Sequence, residues 1–425
     1  MQYPFLSRRR RGMASPWLLA GFLGLSLLSP LAQATTGPEV QVTASFVIDF
    51  EFDWGRDGVY CASCNQGAGN ARLAFSDGRQ RLWVAQVDPD TGAFLPADGQ
   101  GVLVDKHAAP ATTFGNGPEW AVSAQGSQLV YSKYLSDQLP SKSTVGLGVA
   151  SMVGGQWTTE LLSDSLQRVS PIATMDLDAA TPLIQYQDTG RVNTYWRLLA
   201  DGSDEHPITV PGYSAGARRW VPGTHQIVIT GSDAAGLSQV FLYDADTGAT
   251  QQLTHERGSV SGAMMWRAPE YDNEYIFFAV VNAKTVVVYR QLPDTHGALS
   301  WQAIQRTPLP ASYPYVWSPE YFVHNGRSYI FFQMNQSPVA WTLNSPSQIG
   351  MVGVLPENST LQNLTPDADT VRMRMDPEYY ITSQGPFIYY NRFRAQGPAS
   401  PGNSEGVWRV DTGLGPALSP LRQGH

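Results

Sequence analysis

GPEW at 117–120, APEY at 268–271, SPEY at 318–321 and DPEY at 376–379 are four versions of one phrase, Pro-Glu followed by an aromatic residue. Each leads, after a short polar gap, into a β-branched or aromatic run: QLVYS (128–132), YIFFAVV (275–281), SYIFFQ (328–333) and FIYYN (387–391). A phrase that returns about every 50 residues marks a repeated unit. The same grammar, less the glutamate, starts units at Pro171 and near Arg218-Arg219-Trp220. From Pro118 the starts at Pro171, Arg218, Pro269, Pro319 and Pro377 lie 53, 47, 51, 50 and 58 residues apart. Four short strands fit such a length, and a four-stranded unit that buries its faces against its neighbours is one blade of a β-propeller. The fold class predicted is therefore all-β, a β-propeller. Counting the N-terminal unit gives seven blades; six is the alternative, if that unit only completes the last blade.

The rest of the chain agrees. Segment 40–52 (VQVTASFVIDFEF) reads as a strand able to close the ring by joining the seventh blade. ARLAFSD (71–77), RLWVAQVD (81–88) and GVLVD (101–105) read as three antiparallel strands. Asp-Pro-Asp-Thr-Gly at 88–92 supplies a turn, because Asp bonds its own backbone and Gly admits positive φ. PLIQYQ (182–187), TYWRLL (194–199), QIVITG (226–231), QVFLYDADTG (239–248) and GVWRVDTG (406–413) continue the pattern. Gly (40 residues), Pro (30) and 11% aromatics suit short strands joined by tight turns, and no heptad or long amphipathic helix interrupts them.

Residues 1–34 read as a signal peptide and 35–425 as a single propeller domain. Arg8 to Arg11 form a positive n-region, an apolar run spans Trp17 to Leu28, and Ala32-Gln33-Ala34 is an A-x-A cleavage site. The run is short for a membrane span. Ser7-Arg8-Arg9 resembles a twin-arginine signal only faintly, so the general secretory route and a periplasmic or secreted location are expected. Cleavage removes four of the 28 basic residues and none of the 36 acidic ones, leaving a net charge of −12. That balance excludes nucleic acid as the main partner, since phosphate binding needs a basic surface. No membrane span is expected after cleavage, and the protein reads as a monomer. The two cysteines, Cys61 and Cys64, stand in Cys-Ala-Ser-Cys. In an exported chain so close a pair reads as a local disulfide; a redox motif or half a metal site lacks the surrounding pattern.

Two resemblances follow. The fourth unit, RWVPGTHQIVITGSDAAGLSQVFLYDADTGATQQLT, resembles the repeats of TolB-like (WD40-like) propellers, with an aromatic-proline opening, an apolar strand, a D-x-x-T-G turn and an L-T exit. VWSPEYFVHNGRSYIFFQ (316–333) is similar to segments of glycoside hydrolase family 43 and related propeller glycosidases; APEY and DPEY echo it. The second resemblance implies chemistry on carbohydrate. The family's first-blade Asp-Pro, which supplies its general base, is absent, and Asp49 or Asp53 would stand in.

If Pro-Glu-Tyr starts the innermost strand, Glu119, Glu270, Glu320 and Glu378 form a partial ring at one channel mouth. Crowded carboxyls raise one another's pKa, so one can stay protonated as an acid while another acts as base. Against this, a residue repeated in four blades also reads as part of the blade's own construction. Arg168, Arg218, Arg219, Arg267, Arg372 and Arg374 gather before the unit starts. They neutralise the glutamates, or they bind a substrate carboxylate or sulfate. Arg219, Arg267, Arg374, Tyr271, Tyr321 and Trp317 are the substrate-binding candidates. Tyr315 and Tyr379 join Tyr271 and Tyr321 as candidate lyase bases, and His324 is the histidine within a repeat motif. Trp120, Trp220 and Trp266, with Trp317, read as wedges between blades, one or two of them offering a sugar-stacking face. There is no G-x-S-x-G, H-E-x-x-H or phosphate loop, and seven scattered histidines argue against a multi-histidine metal site. No cofactor is expected; a structural calcium ion in a carboxylate-rich turn is the one addition considered.

Three functions stay open: an exported enzyme acting on carbohydrate, possibly an anionic polysaccharide, as hydrolase or lyase; a non-catalytic TolB-like periplasmic binding or scaffold propeller; and an enzyme of small-molecule metabolism using the channel as its pocket.

Overall fold

Seven sheets of four or five strands, each antiparallel, form the body of the computed structural model. Residues 37–418 are described, apart from 45–46, 54, 57–58, 61–70, 78, 98, 111–113, 125, 136–139, 175–181, 201–203, 213–217, 339–344, 367–371 and 395–402. Residues 1–34, read as a leader, and the Cys61–Cys64 pair lie outside the described residues.

The first strand of each blade lines the centre. These strands are Ile48–Phe52, Glu119–Ser123, Arg168–Ala173, Arg218–Trp220, Val260–Ala268, Tyr315–His324 and Arg372–Thr382. Each touches the corresponding strand of the next blade, and the seventh touches the first, so the ring is closed. The protein is a seven-bladed β-propeller with almost no helix, described here by two 3-10 turns, Pro269–Tyr271 and Pro356–Asn358. Segment 40–52 is split between two tasks. Val40–Thr43 is the outermost strand of blade seven, paired with Asn403–Asp411, whereas Ile48–Phe52 is the innermost strand of blade one. Joining the two chain ends in one sheet closes the ring. Gly406 makes this closure possible, because a Cβ there would run into the Thr43 carbonyl.

Second strands such as Glu274–Val281 (EYIFFAVV) and Arg327–Asn335 (RSYIFFQMN) are buried on both faces between neighbouring blades. That explains their continuous apolar runs. Tryptophans stitch blades together: Trp120 Nε1 donates to Glu51 O (3.0 Å) and Trp220 Nε1 to Ile172 O (2.9 Å). Each such bond contributes about 1 kcal/mol beyond the ring's burial. The D-x-D-T-G segments are hairpin turns, with Asp88 Oδ1 accepting from Asp90 N and Thr91 N, and Asp244 Oδ1 from Thr247 N.

The innermost strands share an irregularity that fixes the site. In blades one, three, five, six and seven, two residues face one on the partner strand: 49–50, 170–171, 262–263, 318–319 and 376–377. In each, the first residue has a left-handed backbone: Asp49 (φ 51°), Ser170 (60°), Gly262 (58°), Ser318 (41°) and Asp376 (55°). One is glycine. The other four hold a conformation costing about 1–2 kcal/mol per residue. Strain of this kind gathers at functional sites. The residue after each bulge therefore occupies one equivalent position, and strand pairing extends it to all seven blades: Glu51, Glu119, Ile172, Arg219, Met264, Glu320 and Glu378.

This alignment corrects one member of the sequence repeat. Blade five is aligned at Ala263, not Pro269. APEY (268–271) comes at the outer end of its innermost strand, where Pro269–Tyr271 forms a 3-10 turn closed by Asp272 at φ 56°.

Candidate functional site: an acidic channel

The seven equivalent side chains form a ring across the channel. Glutamates come from blades six, seven, one and two, which are consecutive around the circle. Opposite them stand Ile172, Arg219 and Met264. Glu51, Glu119, Arg219, Met264, Glu320 and Glu378 line both of two chambers, so they form the partition between them. The smaller chamber, about 130 Å3, continues past Trp220, Met265, Tyr321 and Tyr379. The larger, about 440 Å3, continues past the bulges, where Asp49 and Asp376 add two more carboxyls and Val316, Trp317 and Pro319 add an apolar wall.

Six carboxyls thus face one guanidinium. Among the described residues, the one ion pair inside the channel joins Arg219 to Glu320, at 3.9 Å. Burial pushes every one of the six toward its protonated form. For Asp49 and Glu51 the rise is large, driven by burial and then by neighbouring acids: Asp376 and Glu119 for the first, Glu119 and Glu320 for the second. Glu378 rises well above its ordinary value through burial and the charges of Glu320, Glu51, Asp376 and Glu119. Glu320 is pushed up to about 7 by burial, Arg219 holding it back. Burial also raises Glu119, against the pull of Arg219 and Arg218. Arg219 itself is held firmly charged: burial disfavours its charge, but the surrounding glutamates outweigh that. Asp49 and Asp376 lie within hydrogen-bonding reach of each other, and so do Glu320 and Glu378. Like charges in contact resist ionising together, which favours keeping a proton in each pair.

Local contacts fix these groups. Asn116 Nδ2 donates to Glu119 Oε1 (3.2 Å), and the Gly117 amide donates to Asp49. Gly117 has no room for a side chain: a Cβ would lie 2.6 Å from Asp49 Oδ2. Ser170 is tied by Asn116 N to its Oγ (3.0 Å) and by Arg218 Nη2 to its carbonyl (2.6 Å).

Of the sequence candidates, the structure brings Glu119, Glu320, Glu378, Arg219, Tyr321 and Trp317 to the channel. It does not bring Glu270 there. That carboxylate accepts from Ser328 N (2.8 Å) and Ser328 Oγ (3.0 Å), tying the blade-five turn to blade six. Tyr271 lies under Arg290, and Arg267 stacks over Tyr275. Arg374 is buried in a two-pronged bond to Glu39 (2.8 and 2.6 Å), far along the closure seam. Arg168 is paired to Glu205 and Arg372 to Glu405. The basic mouth implied by these arginines therefore does not form: Arg168, Arg372 and Arg374 are paired with acids within the blades, and Arg267 lies on Tyr275. Tyr315 faces Lys284, and His324 Nε2 meets the Gly415 carbonyl. Sequence reasoning did not single out Glu51 and Asp376 as site residues. Asp376 was open to view in the DPEY phrase; Glu51 has no proline beside it to mark it.

Comparison with known proteins agrees with the fold. No family model matches the chain, and no curated protein matches its sequence. Among solved structures it is similar to the β-propeller domain of Cps50 (Swd1) from Myceliophteria thermophila, at 7% identity and TM-score 0.51, covering 88% of this chain and 98% of that one. It is also similar to TolB from Acinetobacter baumannii (15% identity, TM-score 0.36, 86% and 84% covered). A third is a thermostable family-43 glycoside hydrolase (11%, TM-score 0.32, 72% and 94% covered). Both propeller families that the sequence resembles are thus among the structures similar to it. The chain spans about half the length of two others, a prolyl endopeptidase (47%) and a puromycin hydrolase (53%). Among the described residues, no helix is long and apolar enough to cross a membrane.

Proposed function

We propose that the protein is an exported propeller enzyme that hydrolyses a glycosidic bond in the larger chamber. The observation that supports this most is the unequal treatment of two carboxyls lining one cavity. Burial and the charges of four neighbouring acids push Glu378 well toward its protonated form, whereas Arg219 and Arg218 pull Glu119 back toward its charged form. Carboxyls whose environments separate their proton affinities are what acid and base roles need. Glu378 would give its proton to the leaving oxygen. Glu119, held by Asn116, would act on the opposite face as base or nucleophile. Trp317 and Met264 offer apolar surface to the sugar ring. The hydrogen-bonded dyads lie closer than the about 5 Å that even a retaining pair uses, so acid and base come from different pairs. An anionic polysaccharide and a lyase reaction are disfavoured, because one guanidinium cannot neutralise both a uronate and the surrounding acids.

The test is incubation of the purified protein with neutral and uronic oligosaccharides, read by reducing ends and by absorbance at about 235 nm. New reducing ends without unsaturated product support hydrolysis. Unsaturated product, or no turnover of any glycan, overturns it.

A further inference from the structure

The charge of the channel asks for a partner that the chain itself does not supply. Six carboxyls line the larger chamber, and among its lining residues they meet the single guanidinium of Arg219. Glu378 is only 7% exposed and lines the chamber, yet among the described residues its one hydrogen-bonding neighbour is another carboxyl, that of Glu320. Glu51 lines the same wall, and the forces acting on it are chiefly burial and the repulsion of Glu119 and Glu320. Buried carboxylates without a cation are costly, and a ligand that brings one is favoured over a neutral analogue.

We infer that the occupant of the larger chamber carries a protonated amine, and that its class is the amino sugars with a free ammonium group. The inference rests on the carbohydrate reading of the site. A bare divalent ion fits less well: calcium takes six to eight oxygens, and among the described residues no three acidic or histidine side chains converge as metal ligands. An ammonium needs less convergence. Its three N–H donors can be shared among carboxylates spread over several blades. One carboxyl held toward its protonated form can ionise against the ammonium, its proton leaving to solvent while the ammonium keeps its own three hydrogens, so that the charge of the chamber is unchanged. Val316, Trp317 and Met264 line the same chamber and offer a surface to the apolar face of a sugar ring.

Titration calorimetry tests this. A glucosamine tetramer, an N-acetylglucosamine tetramer and a cellotetraose are titrated into the whole mature protein at pH 6, in buffers of different ionisation enthalpy. The free-amine oligomer is expected to bind at least about tenfold more tightly than either neutral one, as for one charge-assisted contact. It alone is expected to release protons, up to one per bound ammonium. Glu378→Gln, which keeps the shape but not the charge, is expected to shrink the preference by about tenfold. The wild-type comparison needs no variant to fold. Equal binding of the three oligomers, no proton release, or no binding of the amine overturns the inference. Hydrolysis of neutral oligomers with no amine preference would sink it while leaving the enzyme reading intact. Amine-selective binding without turnover would do the reverse.

Discussion

Replacing Glu320 by Gln removes one proton-binding carboxyl while keeping its size and an oxygen that can accept a hydrogen bond from the Glu378 carboxyl. In the folded protein the Glu320 carboxyl is pushed up to about 7 from an ordinary 4.5, first by burial and then by Asp376 and Glu119, with Arg219 opposing. Folding therefore favours its protonated form. Its contribution to stability is complete below about pH 4.5 and is lost as pH rises through about 7. At 1.36 kcal/mol per pH unit, a rise of about 2.5 units is worth about 3 kcal/mol at most. The side chain is 19% exposed, so solvent trims that figure only modestly. The wild type should lose this stability between pH 5 and 8, and Glu320→Gln should not. Thermal melts of both proteins at half-unit steps read the difference. Burial lowers the His324 pKa and so changes stability in the opposite sense below about 6.5, but it does so equally in both proteins and cancels. The variant is expected to melt several degrees above wild type at pH 8 and close to it at pH 4.5. Melting curves that stay parallel across this range would refute the electrostatic picture of the arc.

Other substitutions separate construction from chemistry. Glu270→Gln should leave turnover unchanged and cost about 1 kcal/mol in a melt, since its carboxylate bonds Ser328 and not the channel; a large loss of activity would contradict its placement. Arg374→Ala should cost about 1.5–3 kcal/mol, because it removes the two-pronged bond to Glu39 at the seam where the chain ends meet and leaves that carboxylate to Tyr390 and Arg392; an unchanged melting temperature would contradict the closure argument. Gly117→Ala should cost about 1–3 kcal/mol and weaken ligand binding, since its Cβ would displace the Asp49 carboxyl from 2.6 Å; unaltered binding would place Asp49 outside the site.

The repeat was legible because second strands buried on both faces read as unbroken apolar runs, and YIFFAVV and SYIFFQ are such strands. The blade count followed from their spacing. The site was legible only where proline marked it. In SPEY and DPEY the proline is the second bulge residue and the glutamate follows it onto the ring. Phe50 takes that place in blade one, so Glu51 carries no flag, although it holds the same position. APEY misled for the opposite reason: Pro269 suits the start of a 3-10 turn as well as it suits a bulge, and the phrase alone does not distinguish them. The arginines were counted toward the channel because sequence places them beside the repeat. Their side chains alternate along the strand, and Arg374 points to Glu39 across the seam instead.

The most direct test of the central claim, that the acidic arc is the working site, compares turnover of one cleaved oligosaccharide by wild type, Glu378→Gln, Glu119→Gln and Glu270→Gln at matched folding. The account predicts that kcat falls by about 10²–10⁴ in the first two variants, as for loss of a general acid or base, and holds in the third. Equal rates in all four proteins, or a loss confined to Glu270→Gln, would contradict it.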